Sequence, residues 1–326
     1  MGWKEYLLRR IIQLFFIVFI VLILNFLIIN LAPGDPASIM AGELATKEYI
    51  EAVRQKWGLN KPIYERLISY VSNVVHGDFG YSFTYSQSVL SLIAERIPIT
   101  LMLTLTSSIL AFVIGLLLAV RSAQNAFSKE DIIVSNAMLV LYSVPSFWLG
   151  LVLIGVFGVG LRLLPTSGMT DVRAANTGLL LAIDILIHSI LPISTLTAIQ
   201  IPVYYKIARN SIVEQSSEDY ALTFTMAGMN RSDLFRKYIL RNSLLPPVTV
   251  FALHLGYILS GAVLVEIVFG WPGMGRLLLG AVYSRDYPLI MGIYLITSIT
   301  VAFANFFVDI LYVLLDPRVK YTNESS

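Results

Sequence analysis

The chain contains no cysteine. That excludes disulfides, thiolate metal sites and cysteine nucleophiles, and it leaves the redox compartment open. Charge is scarce: Asp, Glu, Lys and Arg make up 13% of the 326 residues, against about 25% in soluble domains. A bilayer around the chain is the simplest reason for so little polar surface. The net charge is only +2, too weak a field to neutralise a run of phosphates, which argues against a nucleic-acid role. The three histidines, His76, His188 and His254, lie far apart and form no local ligand motif. No lysine follows a glycine, so the chain holds no Gly-rich phosphate loop ending in Gly-Lys. ATP-driven work would need its hydrolase on another polypeptide.

Apolar side chains are abundant: 56% of residues are hydrophobic and the mean hydropathy is +0.75. A helix needs roughly 20 apolar residues to cross about 30 Å of hydrocarbon. Six stretches meet this: 9–30, 98–121, 132–158, 183–206, 247–270 and 288–314. In the first, only Gln13 and Asn25 interrupt Ile11 to Ile29. Its length, with no small-x-small cleavage site after it, favours an uncleaved span over a signal peptide. Pro145, Pro192, Pro202, Pro246, Pro247 and Pro288 fall within spans or at their ends, where neighbouring helices can satisfy the freed carbonyls. The expected fold is an all-α polytopic membrane protein with six transmembrane helices.

Basic residues in short loops set the orientation. Lys4, Arg9 and Arg10 precede the first span, and Arg121 and Lys129 lie between the second and third. Lys206, Arg209, Arg231, Arg236, Lys237 and Arg241 lie between the fourth and fifth, and Arg318 and Lys320 follow the sixth. The alternate short loops carry only Arg162 and Arg173, then Arg276 and Arg285. Both termini are therefore expected in the cytoplasm.

Segment 31–97 is then outside, since long loops are exempt from the charge rule. It should form a small cap on the outer membrane face, being short for an independent core. Thr46 can cap a helix over 47–57, with Ile50, Val53 and Trp57 on one stripe and Gly58 past its end. Pro62 opens a second helix, with Ile63, Leu67, Val71 and Val74 as its buried face and Gly77 closing it. Residues 78–92 are expected to be extended.

The most informative segment is a polar, basic island, Asp219 to Pro246, between two apolar runs. Ser216 or Ser217 can cap a helix through about Ala227, and Gly228 can end it in the left-handed conformation. Ser232 can cap a second helix, with Asp233 at its positive end and Arg236, Lys237 and Arg241 further along. Tyr220, Leu222, Phe224 and Met226 are apolar groups with no membrane around them. Two roles fit: a docking surface for a soluble partner, or an amphipathic loop lying on headgroups.

Short motifs follow one another along nearly the whole chain. Leu7-Leu8-Arg9-Arg10 opens the first span and Leu31-Ala32-Pro33-Gly34-Asp35-Pro36 follows it. Gly58-Leu59-Asn60-Lys61-Pro62 and Gly77-Asp78-Phe79-Gly80-Tyr81-Ser82 come next. Then come Pro145-Ser146-Phe147-Trp148-Leu149-Gly150 and Leu164-Pro165-Thr166-Ser167-Gly168, then the island with Leu240-Arg241-Asn242-Ser243-Leu244-Leu245-Pro246. Glu266, Phe269-Gly270-Trp271-Pro272-Gly273-Met274-Gly275-Arg276 and Leu315-Asp316-Pro317-Arg318 complete the series.

In this order the motifs resemble the permease subunits of ABC importers for dipeptides, oligopeptides and nickel, of the first-permease type. The resemblance implies the type I ABC importer transmembrane fold. Residues 1–30 would hold the N-terminus and first helix, 31–97 the extracytoplasmic cap, and 98–316 the permease core. The core would include a coupling loop over 210–246, and 317–326 would be a cytoplasmic tail.

The resemblance also implies roles and partners. Asp219, Tyr220, Ala221, Phe224, Ala227, Gly228, Arg231, Arg241 and Asn242 would seat the coupling helix in an ATPase. Trp271, Pro272, Gly273, Met274 and Gly275 would close the outer end of the pathway and meet an extracytoplasmic substrate-binding protein. A second homologous permease and two ABC ATPase subunits would complete the importer. ATP and Mg would bind those ATPases, with no cofactor in this chain. Where the broader importer class has Glu-Ala-Ala, this chain has Leu222-Thr223-Phe224. The implied work is alternating access in the cell membrane, carrying peptides, with oligosaccharides or nickel as alternatives. A secondary transporter working without ATP is the reading from another class; its inverted repeats are not evident. A membrane scaffold without transport is a third.

Charged groups inside apolar runs are pathway or pairing candidates. Glu266 and Asp309 lie within such runs and Asp184 near the start of one. Glu266 fits either the pathway or an interfacial place beside the Trp271-Pro272 turn; Asp309 fits the inner end, with no transport role. His188 and His254 are read as hydrogen-bonded packing groups. Gly256, Ser260, Gly261 and Gly292 permit close helix approach, at a subunit interface, along the pathway (Ser260, Gly261) or within the chain.

Overall fold

The computed structural model describes residues 3–31, 37–38, 46–56, 58–174, 176–256 and 262–315. In chain order the helices are α1 (Trp3–Leu31), α2 (Lys47–Lys56) and α3 (Ile63–Val75). A hairpin of β1 (Tyr81–Ser82) and β2 (Gln87–Ser88) follows, then α4 (Val89–Gln124), α5 (Lys129–Ser143) and α6 (Ser146–Leu153), which runs into a π-helical stretch, Ile154–Gly160. Next are α7 (Gly178–Ser216), α8 (Asp219–Met226), α9 (Arg231–Leu234), a second π-helical stretch (Phe235–Ile239) and α10 (Leu240–Ser243). The series ends with α11 (Leu245–Gly256), α12 (Val263–Val268), α13 (Met274–Tyr283) and α14 (Tyr287–Leu315).

Four described helices contain segments long and apolar enough to cross a membrane: Leu8–Leu27, Val89–Gln124, Gly178–Ser216 and Tyr287–Val308. The expected third span is a broken pair, Lys129–Ser143 and Ser146–Gly160, bent by 100°. Pro145 explains the break. It pushes Val144 out of the helical region, to ψ 126°, as a residue before proline usually is. The expected fifth span, 247–270, comprises α11 and α12 on either side of residues 257–261, which lie outside the described residues. The chain is thus a helical, polytopic membrane protein, with four described spans, or five counting the bent pair.

Two spans are longer than hydropathy indicated. The second begins at Val89, nine residues before the expected start at 98, and so takes over the end of the segment expected to be extended. Glu95 and Arg96 lower its hydropathy, but both are good helix formers and do not stop it. The fourth runs to Ser216, past the basic residues that seemed to end it.

The chain divides into two compact units. The first comprises Met1–Thr100 and Pro272–Phe306. Its core joins Val89, Leu92 and Ile93 of α4 to Met274, Leu277 and Ala281 of α13 and to Leu289 and Ile293 of α14. Gly292 faces Val89 so closely that an added Cβ would lie 2.3 Å from its Cγ1. This small residue serves packing within the chain. Asn25 of α1 donates to the Met291 carbonyl at 2.8 Å, and Phe26 stacks on Tyr70 of α3 at 5.7 Å.

In segment 31–97, Gly58 and Gly77 have φ +63° and +83° just beyond α2 and α3, as expected. The Ile50 N–H bonds to the Thr46 carbonyl at the start of α2. Trp57 and the Val53 side chain lie outside the described residues. On α3, Leu67, Val71 and Val74 are half-buried, but Ile63 is 50% exposed. Tyr70 joins the packed face instead, because Phe26 offers it a ring to stack on.

Asp286 caps α14 and holds the hairpin. Its buried carboxylate accepts from Ser82 Oγ at 2.5 Å, Thr84 N at 3.2 Å and Leu289 N at 3.3 Å. Losing an N-cap costs about 1 kcal/mol, and this change would also strand buried donors. Asp286→Ala is therefore expected to lower the thermal midpoint of the purified chain by several degrees, and Asp286→Asn by less. A midpoint unchanged in both variants would show that the carboxylate holds nothing.

The second unit comprises Leu101–Trp271 and Phe307–Ser326. α7 is its axis. Phe112, Tyr204, Phe251 and His254 form an aromatic cluster, with Phe112 4.7 Å from Phe251 and edge-on to Tyr204 at 5.5 Å. The Tyr204 hydroxyl and His254 Nδ1 are 2.9 Å apart. His188 Nδ1 lies 2.9 Å from Asp184 Oδ1. Asp184 also accepts from the Asp171 N–H at 2.8 Å, so it anchors the preceding loop. Both histidines are hydrogen-bonded packing groups. The Asp309 side chain lies outside the described residues.

Candidate functional site

The basic island folds as a helix–turn–helix on α7. α8 ends in a Schellman motif: Gly228 N donates to the Thr225 carbonyl at 3.1 Å and Met229 N to the Phe224 carbonyl at 3.0 Å. The turn requires φ +82° at Gly228, a conformation glycine adopts without steric cost. The starts of the two helices differ from expectation. Ser216 closes α7 and Ser217 is its C-cap, so Glu218 precedes α8 without a side-chain cap. Asn230, not Ser232, caps α9: its Oδ1 accepts from Ser232 N at 3.0 Å. Asp233 stands in the first turn as expected and pairs with Lys237 at 3.3 Å.

A small core fixes the island. Ile212 of α7, Ala221 of α8, Leu234 of α9 and Ile239 are buried together. Phe224 packs on Tyr238 with ring centroids 4.5 Å apart, and the Tyr220 hydroxyl donates to Gln215 Oε1 at 2.9 Å. Helical spacing therefore splits the four apolar groups. Tyr220 and Phe224 turn inward, while Leu222 and Met226, one turn apart, are 56% and 78% exposed. Ala221 is a core residue. Asp219, Ala227, Gly228, Arg231, Arg241 and Asn242 are exposed. Beside α8 lies a groove of 1410 Å³, lined among others by residues 123–128 and by Ala221, Leu222, Thr225 and Asn230.

The glycine-proline bend exists and is largely buried. Gly270 has φ +61°, and the Trp271 N–H bonds to the Glu266 carbonyl at 2.8 Å. Trp271, Gly273, Met274 and Gly275 are buried and Pro272 is half-buried. Met274 N donates to Thr100 Oγ1 at 2.8 Å, and Arg96 donates to the Pro272 carbonyl at 3.2 Å. In this conformation these side chains offer a partner little surface, whereas the next residue, Arg276, is exposed. Glu266, read from the sequence as either a pathway group or an interfacial one, is fully buried. Ser260 and Gly261 lie outside the described residues.

One cluster was missed in the sequence. Asp131 is buried beside Arg209, Ser122, Ser135 and Tyr205. Lys129-Glu130-Asp131 reads as an ordinary acidic first turn, and Arg209 as one more loop cation. Only the fold shows that they meet.

Comparison with known proteins agrees with this architecture. Residues 111–321 match the family described as binding-protein-dependent transport system inner membrane component. Residues 4–104 match the N-terminal domain of such membrane components. The chain is 38% identical over 317 residues to the glutathione transport system permease protein GsiC of Escherichia coli (strain K12), covering 97% of this chain and 99% of the relative. It is 35% identical, with the same coverage, to the oligopeptide transport system permease protein AppB of Bacillus subtilis (strain 168). The chain therefore belongs to the binding-protein-dependent transport system inner membrane components, the membrane permease subunits of ABC importers, and is not an enzyme.

Proposed function

We propose that the chain forms half of a peptide translocation pathway and that α8, with the Gly228 turn, is its coupling helix. The observation that carries this is the pair Leu222 and Met226. They stand exposed on a helix whose opposite face is locked into a core, beside a groove. A rigid apolar ridge on a basic loop suits a protein partner better than lipid headgroups, because its aromatic residues are spent on internal packing.

The family implies an ATPase and a substrate-binding protein as partners. In our reading the assembly has a second homologous permease and two ATPase subunits, which carry ATP and Mg. Six helices span the membrane, residues 31–97 form the outer cap, and both termini lie in the cytoplasm. Closure of the ATPase dimer draws the coupling helices together and switches the side to which the pathway opens. The buried turn Trp271–Gly275 belongs to the outer gate, with Ser260, Gly261 and Glu266 along the pathway. Peptides are the cargo because both named relatives are permeases of glutathione or oligopeptide transport systems.

Affinity purification of the chain in mild detergent tests this. Wild type should bring down a second permease and P-loop ATPases. Leu222→Glu with Met226→Glu should reduce the recovered ATPase by about tenfold or more, since charge in an apolar hot spot is costly. Undiminished ATPase recovery would remove α8 from the interface. Uptake of labelled nickel or oligosaccharide, but not of peptides, would reassign the cargo.

A further inference from the structure

The Asp131 carboxylate is 2% exposed and sits at the start of α5. Arg209 of α7 grips it with a two-pronged fork: Nε donates to Oδ1 at 2.6 Å and Nη2 donates to Oδ2. Ser122 Oγ, near the end of α4, also donates to Oδ1. The Phe127 N–H donates to Oδ2 at 2.7 Å. The Tyr205 hydroxyl completes the set, 2.7 Å from Ser122 Oγ and 2.8 Å from Ser135 Oγ. One carboxylate thus ties together α4, the turn after it, α5 and α7.

These ties bear on the groove beside α8. Phe127 belongs to its wall over residues 123–128, and its backbone is held at φ +65°. The Arg209 guanidinium carbon lies 5.7 Å from the Phe127 ring centroid. Beyond Arg209, α7 runs unbroken to Ser216 and passes through Ser217 and Glu218 into α8. The fork therefore sits where a displacement of α8 would enter the helix bundle. A single exposed ion pair would bend under load. A buried fork with further donors on the same carboxylate resists rotation, because each donor fixes a separate direction.

We infer that Asp131 and Arg209 are a positioning pair for energy coupling. They hold the end of α7 in register with α4 and α5, so that motion of α8 moves the spans and not the loop alone. The inference rests on the docking role of α8.

The test uses the whole importer, with its ATPases and binding protein, in proteoliposomes supplied with a pool of labelled di- and oligopeptides. The quantity read is ATP hydrolysed per peptide imported. Asp131→Asn should keep the ATPase bound and its basal hydrolysis, while this ratio rises about fivefold or more, the range of ordinary coupling between sites. Arg209→Lys keeps the charge but not the fork and should be intermediate. If the Asp131→Asn chain does not fold, the milder Tyr205→Phe decides, with an expected rise of about twofold. An unchanged ratio in the variants that assemble overturns the inference. So does loss of the ATPase from a folded Asp131→Asn chain, which would make the pair structural only. Failure of the docking reading shows elsewhere: the Leu222→Glu, Met226→Glu chain would then keep its ATPase and its normal ratio.

Discussion

Gly228→Pro is expected to abolish stimulation of the ATPase by the binding protein while the chain still folds and inserts. Three effects act on one turn. Proline fixes φ near −65°, whereas the turn holds Gly228 at +82°. It removes the N–H that donates to the Thr225 carbonyl at 3.1 Å. It also disfavours the helical conformation of Ala227, the residue before it. Each violation is worth about 1–3 kcal/mol, more than an eight-residue helix such as α8 can oppose by itself. α8 would lose its register with α9, and Leu222 and Met226 would no longer share one direction. The exposed turn has open space around Gly228, so the damage stays local. Gly228→Ala separates the causes: it keeps the N–H but pays for the left-handed backbone, about 1–2 kcal/mol, and should retain part of the stimulation. Wild-type stimulation in Gly228→Pro would show that this turn carries no coupling.

Gly115→Leu is expected to prevent folding of the second unit. α4 and α7 meet at Gly115. A Cβ there would lie 2.9 Å from Tyr204 Cβ, 3.0 Å from the Ile201 carbonyl oxygen and 3.1 Å from Tyr205 N. Two of these neighbours are backbone, which cannot turn aside as a side chain can. Even alanine would force the helices apart, and overpacking typically costs about 1–3 kcal/mol. Leucine would have to displace the fully buried Tyr204 and Tyr205, and with them the ring cluster and the Asp131 network. Size-exclusion in detergent should show aggregate for Gly115→Leu and a monodisperse chain with a lowered midpoint for Gly115→Ala. A monodisperse Gly115→Leu chain of normal midpoint would mean that the two helices do not meet there.

Much of this protein was legible residue by residue. Scarce charge and long apolar runs fixed the class, since burying so much apolar surface in water-facing helices has no other solution. Gly228 announced its turn because a left-handed backbone position selects glycine, whereas Pro145, expected to be tolerated within an unbroken third span, marks a 100° bend. Local chemistry of this kind acts over a few neighbours and is written in order along the chain. Cap identity was harder: Ser216, Ser217 and Ser232 could each have served, and which hydroxyl was free depended on where α7 stopped.

Tertiary structure decided the rest. Which of Tyr220, Leu222, Phe224 and Met226 would face outward depended on Tyr238 and Gln215 arriving from other elements to occupy two of them. Glu266 read equally well as a pathway or an interfacial group, and its full burial shows only in the fold. Asp131 and Arg209 lie 78 positions apart, and nothing near either one signals the other. A hydrogen bond between distant residues depends on the packing of whole helices, which no single stretch of sequence records.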